Sequence, residues 1–184
     1  ILNDYKLEEG KGYRLQHGDT ISVGRMRMQL FFAVMPSQKD IDKSHPTQPV
    51  NFEIPQIGMG LHVLIVDPDA NVASVLKSVL EQAGFRVSSA ESFREALTVI
   101  DEDMPQLILT ELMLPDINGL KLLQIVREHY TSHPLALMVI THPGGGYQMG
   151  QAIDAGADTF LIKPVGVDEL LRSVSKLVEQ LKAT

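Results

Sequence analysis

The stretch "LHVLIVDPDANVASVLKSVLEQAGF", residues 61–85, decides the fold. It opens with an almost unbroken apolar run from Leu61 to Val66 and stops on an acid, Asp67. A short apolar run of this kind is a strand covered on both faces, the signature of a parallel sheet. Val72, Val75, Leu76, Val79, Leu80 and Ala83 then recur at helical spacing, and Gly84 is a helix stop. Strand, acid, helix and glycine together make the first half of a βαβ unit.

The same rhythm continues to the end of the chain. "FRVSSA" (85–90) is a second short strand, and Ser92-Phe93-Arg94-Glu95 forms a capping box that opens a second helix. "QLILTE" (106–111) and "INGLKLLQIVREHY" (117–130) are the third strand and helix. "LALMVIT" (135–141) precedes a short helix over 148–155, and "TFLIK" (159–163) is the fifth strand. The last helix places Leu170, Leu171, Val174, Leu177, Val178 and Leu181 on one face. Five apolar strands alternating with five helices predict an α/β domain, a doubly wound five-stranded parallel sheet.

In such a sheet the working site lies beyond the carboxyl ends of the strands, at the point where strand order reverses. The residues that end the strands are therefore the informative ones. Strand one ends in Asp67-Pro68-Asp69, strand three in Glu111, strand four in Thr141 and strand five in Lys163-Pro164. Clustered acid oxygens suit a hard cation such as Mg²⁺, with a lysine and a hydroxyl holding an anion beside it.

These motifs, in this order, resemble the receiver domain of two-component response regulators, over residues 61–182. The resemblance implies a flavodoxin-like (βα)5 fold. It also implies an activity: acceptance of a phosphoryl group from a histidine kinase onto an aspartate, with Mg²⁺ held by neighbouring acids. In that family the phosphoryl group draws a Ser/Thr inward, and an aromatic residue near the fifth strand follows. Thr141, Phe160 and Lys163 match the switch and anion-binding positions, and Asp67 matches the first metal acid. Pro68 stands where the second acid is expected, and Asp69, one step later, reads as a helix cap beside the acidic pocket. Glu111 stands at the phosphoacceptor position.

Those two departures bear on the chemistry. Proline offers Mg²⁺ no ligand, leaving Asp67 and Glu111 as the residual metal acids, so Mg²⁺ is not required. Glutamate carries its carboxylate about 1.5 Å further than aspartate, one C–C bond, and phosphoryl transfer depends on positioning. Three readings stay open. Glu111 pairs with Lys163 and imitates the phosphorylated state; the domain is a docking scaffold indifferent to state; or a Mg²⁺-dependent acceptor survives at a non-standard acid. All but the last describe a pseudo-receiver, a signalling interaction module and not an enzyme.

Residues 1–35 read as short strands: "GYRLQ" and "TISVG" flank His17-Gly18-Asp19, and "RMRMQLFFAV" begins with a period of two. They resemble the closing, C-terminal strands of a forkhead-associated (FHA) β-sandwich, on Gly18-Asp19, Ile21 and Gly24. That family binds phosphothreonine peptides, and Asn3 matches its peptide-contacting asparagine, while the phosphate-holding residues would lie upstream. Residues 36–60, with Pro36, Pro46, Pro49 and Pro55, read as a linker, and residues 61–184 as the receiver-like domain. The start at Ile1 is read as that of a fragment.

Composition narrows the classes further. The chain has 184 residues and no cysteine, which removes disulfides, thiolate metal sites and a thiol nucleophile. Residues 1–60 are charge-balanced, so the net charge of −7 resides in residues 61–184 and argues against direct nucleic-acid binding. The lack of a long apolar run or leader pattern points to a cytoplasmic location without membrane association. "HPGGGYQMG" (142–150) lacks the Lys-Ser/Thr of a phosphate-binding loop and reads as a loop before the fourth helix. His142, next to Thr141 and so beside the pocket, reads as a surface or satisfied histidine, with a role near the acids as the alternative, and Asp116 as a helix cap or solvated acid. The expected partners are a histidine kinase or a downstream signalling protein. A homodimer is also expected, through the face made by the fourth helix, fifth strand and fifth helix.

Overall fold

The computed structural model describes residues 1, 19–23, 26–29, 34–35, 54–130, 134–143 and 149–183. Asn3, the strand expected at 12–16, the His17-Gly18 turn, Gly24, residues 36–53 and the glycine loop at 144–148 lie outside these.

The sheet is built from β4 (His62–Val66), β5 (Arg86–Ala90), β6 (Leu107–Thr110), β7 (Ala136–Thr141) and β8 (Thr159–Ile162). All neighbours are parallel, in the order β5-β4-β6-β7-β8. This is the doubly wound parallel sheet that the alternation of strands and helices predicts, in the flavodoxin-like strand order that the resemblance implies. The chain moves from β4 outward to β5 and then returns to the other side of β4 to lay down β6. The crevice between the ends of β4 and β6 is therefore the switch point.

Helices cover both faces, and the strands are sorted between them by their period of two. Val63 and Ile65 of β4, Leu107 and Leu109 of β6 and Met138 and Ile140 of β7 point to one side. There they meet α1 (Ala70–Gln82) and α5 (Val167–Ala183). Leu64, Val66, Ile108, Leu137 and Val139 point to the other, against α2 (Phe93–Glu102), α3 (Gly119–His129) and α4 (Met149–Asp154). Leu64, Ile108, Leu122 and Leu137 are wholly buried, and each such side chain contributes roughly 1.5–3 kcal/mol of transfer free energy.

Local signals end the elements as the sequence leads one to expect. Helix α1 closes in a Schellman turn, with Gly84 at φ 88, its N–H on Glu81 O and the N–H of Phe85 on Leu80 O. Ser92 caps α2 by accepting from the Glu95 N–H, and Glu95 reaches back to the N–H of Glu91. One expectation fails: Val75 is 46% exposed, and Ala73 takes its place in the core. Five core-facing apolar residues already fill the helix stripe, so a sixth at that angle falls outside it.

Residues 54–60 pack onto this domain. Ile57 and Gly58 donate to Ala83 O, Gly60 donates to Gly84 O, and Ile54, Ile57 and Leu61 pack against the α1–α5 core. Upstream, β1 (Thr20–Val23) and β2 (Met26–Gln29) form an antiparallel pair, and Ile1 exchanges both backbone hydrogen bonds with Ser22. A further short strand, β3 (Val34–Met35), pairs in parallel with β9 (Val165–Gly166), which follows the cis Lys163–Pro164 peptide.

Gly58 has no room for a side chain: an added Cβ would stand 2.4 Å from Phe85 N and 2.6 Å from its ring. Gly58→Ala is expected to lower stability by about 1–3 kcal/mol through this overpacking, measured by urea denaturation.

Candidate functional site

Four buried polar side chains meet at the switch point. Asp67, Glu111, Thr141 and Lys163 are each 3% exposed. Strand pairing brings them there, because Glu111 N donates to Val66 O and Lys163 N donates to Thr141 O. Each residue lies at or just past the end of an apolar strand, so the sheet delivers all four to one edge.

The lysine is the centre of the cluster. Its Nζ lies 2.5 Å from Asp67 Oδ2 and 3.0 Å from Glu111 Oε2. The remaining oxygens are also taken. Asp67 Oδ1 accepts the N–H of Asp69 at 2.9 Å. Glu111 Oε1 accepts the N–H groups of Leu112 (2.7 Å) and Met113 (3.3 Å) and the hydroxyl of Thr141. Nδ1 of His142 stands 3.1 Å from Glu111 Oε2. Burial pushes the Glu111 carboxyl up, but the Thr141 hydroxyl, the Lys163 ammonium and the Leu112 N–H together hold it below its ordinary value.

Around this centre the turn after Glu111 is tightly drawn. Gly119 N donates to Leu112 O, and a Cβ on Gly119 would meet Glu111 O at 2.4 Å. Asp116 resolves as a cap, though for a distant helix: Oδ1 accepts from Phe93 N and Oδ2 from Arg94 N, both at 3.0 Å, at the start of α2. Asp69 caps α1, accepting from Asn71 N and Val72 N, and the Asn71 N–H leads in holding its carboxyl below the usual range. Its carboxylate thus serves the helix rather than the pocket. Phe160 is half-buried against the core on the α2–α4 side. His142 is 62% exposed, yet it touches Glu111, a contact that its place next to Thr141 allows.

Does this donor set suit Mg²⁺? Pro68 brings no side-chain oxygen, Asp69 is committed to α1, and both carboxylates of Asp67 and Glu111 are engaged by Lys163 and backbone N–H groups. Among the described residues no three His, Asp or Glu side chains converge so as to hold a metal ion. The residues do not fit a cation that demands a near-octahedral oxygen shell. A cleft of about 160 Å³ opens beside Asp67, between α1 and the end of β5, lined by Ser74, Lys77, Ser89 and Glu91 among others.

Comparison with known proteins agrees with this fold. The family model described as response regulator receiver domain matches residues 63–175. The chain belongs to the receiver family. Over 122 residues it is 32% identical to the response regulator MprA of Mycolicibacterium vanbaalenii, which covers 66% of this chain and 52% of that protein. It thus spans about half the length of the curated relatives it matches. Among solved structures, a signal receiver domain from Vibrio parahaemolyticus superposes with a TM-score of 0.62 at 27% identity, covering 67% of this chain and 94% of that one. A CheY-like receiver domain protein from Methanospirillum hungatei gives 0.61 at 26% identity, covering 67% and 98%. No helix among the described residues of this receiver is long and apolar enough to cross a membrane.

Two outcomes are expected of the buried cluster. Glu111→Ala leaves Lys163 with Asp67 alone and leaves the Thr141 hydroxyl and the Leu112 N–H without their acceptor, and should cost about 1–3 kcal/mol in urea unfolding. Because the folded-state pKa of Glu111 lies below its ordinary 4.5, its contribution is present above that value and is lost as pH falls through the folded pKa. The fall in melting temperature below pH 4.5 should therefore be shallower in Glu111→Gln than in the parent chain.

Proposed function

We propose that this receiver works as a pseudo-receiver, a signalling interaction module that does not use ordinary aspartyl phosphorylation. The observation that carries this reading is the hydroxyl of Thr141, turned inward and donating to Glu111 Oε1. An inward Ser/Thr is the response that the receiver resemblance attaches to a phosphoryl group. Here a carboxylate one methylene longer than aspartate reaches the same hydroxyl and the same lysine. Support also comes from Pro68 and from the full engagement of both acids. The domain acts through binding rather than catalysis.

Its partners are signalling proteins, a histidine kinase or a downstream receiver of the signal. Met149 and Ile153 of α4 are exposed, as is Ile162 of the edge strand β8. They give the α4–β8 side an apolar surface suited to a second copy of the chain. For the N-terminal piece, the antiparallel β1–β2 pair is consistent with the closing strands of an FHA-like sandwich, which in complete form would read phosphothreonine peptides.

The deciding experiment is a titration of the 184-residue chain with Mg²⁺ and beryllofluoride, followed by NMR at Thr141 and Phe160. The expected result is no saturable shift in the parent chain, with a saturable one appearing in the double variant Pro68→Asp/Glu111→Asp. A saturable shift in the parent at low millimolar Mg²⁺ would overturn the proposal in favour of an acceptor that uses a non-standard acid.

A further inference from the structure

The two-residue strand β3 joins the N-terminal part of the chain to the backbone beside the site. Val34 pairs with Val165 and Met35 with Gly166, in parallel register. Val165 is the second residue after Lys163, so the paired segment is the direct continuation of the backbone that carries the central ammonium. β3 also lies against α1, the helix whose cap, Asp69, donates its N–H to Asp67. The strand thus touches the elements that follow two of the site's residues, Asp67 and Lys163.

We infer that β9 is a strand-docking edge whose occupant is the chain's own Val34–Met35 segment, and that docking couples the N-terminal region to the Lys163 pocket in cis. A two-residue parallel ladder is too short to associate between separate molecules. Val34 and Met35 belong to the same chain as Ile54 and Ile57, which pack on the α1–α5 face next to Ala83, so the pairing is intramolecular and is favoured by effective concentration over association of separate molecules. The consequence is directional. What binds or reshapes the N-terminal region releases β9, and β9 in turn releases the backbone position of Lys163. This route does not depend on whether the pocket accepts a phosphoryl group.

Backbone exchange and cross-linking in the whole chain test it. Val34→Pro/Met35→Pro removes both N–H groups of the added strand at positions outside the receiver fold. Amide exchange at whichever of Val165 and Gly166 donates across the ladder should then accelerate about tenfold or more, with Leu64 and Ile108 still protected, and the Thr141 and Lys163 resonances should move. Unchanged exchange at both Val165 and Gly166 would overturn the docking. Faster exchange with unmoved Thr141 and Lys163 would overturn the coupling. A second variant does not rely on weakening the fold. The chain has no cysteine, so Met35→Cys/Gly166→Cys can form one intramolecular disulfide, neighbouring strands lying about 4.8 Å apart. Mild oxidation should close it in monomeric protein; failure to close would overturn the pairing.

Discussion

One ammonium group, that of Lys163, holds the two carboxylates of this sheet edge together. Asp67 and Glu111 end adjacent strands, β4 and β6, and both are buried. Two like charges so placed repel strongly in a medium of low polarity. The lysine comes from the end of β8, two strands from β6, and reaches past Thr141 at the end of β7 to meet both acids. Three strands are thereby stitched at one point. The excess negative charge is spread over the N–H groups of Asp69, Leu112 and Met113 and the Thr141 hydroxyl. Each of these donors is fixed by the backbone of a strand end or tight turn, so the electrostatics and the sheet register specify one another.

Most of the domain is legible in the sequence because parallel strands covered on both faces are written as apolar runs, and the residue ending each run is set by sheet geometry alone. Asp67, Glu111, Thr141 and Lys163 stand at or just past such strand ends, and they meet at one edge. What was not legible depends on contacts distant in sequence. Nothing around Asp116 says that it will cap α2, more than twenty residues upstream. Val75 shares the helical spacing of its neighbours but falls off the buried stripe. The β3–β9 pair is two residues long, too short for any periodicity to betray it.

The balance of the site rests on residues just beyond the packed strands. Pro68 offers the pocket no side-chain oxygen, and Asp69, the next acid along the chain, caps α1. The Glu111 carboxylate is held by contacts with Thr141, Lys163 and two backbone N–H groups. Flavodoxin-like sheets tolerate changes at such positions because the chemistry sits beyond the strand ends, outside the packed layers.

The bond from Asp116 to α2 gives the loop after Glu111 a mechanical role. Two of the four N–H groups that every helix leaves unpaired at its start are satisfied here by a side chain that belongs to the pocket's own turn. The first turn of α2 is thereby anchored to the loop that follows Glu111, so the start of that helix and the edge of the pocket share one side chain.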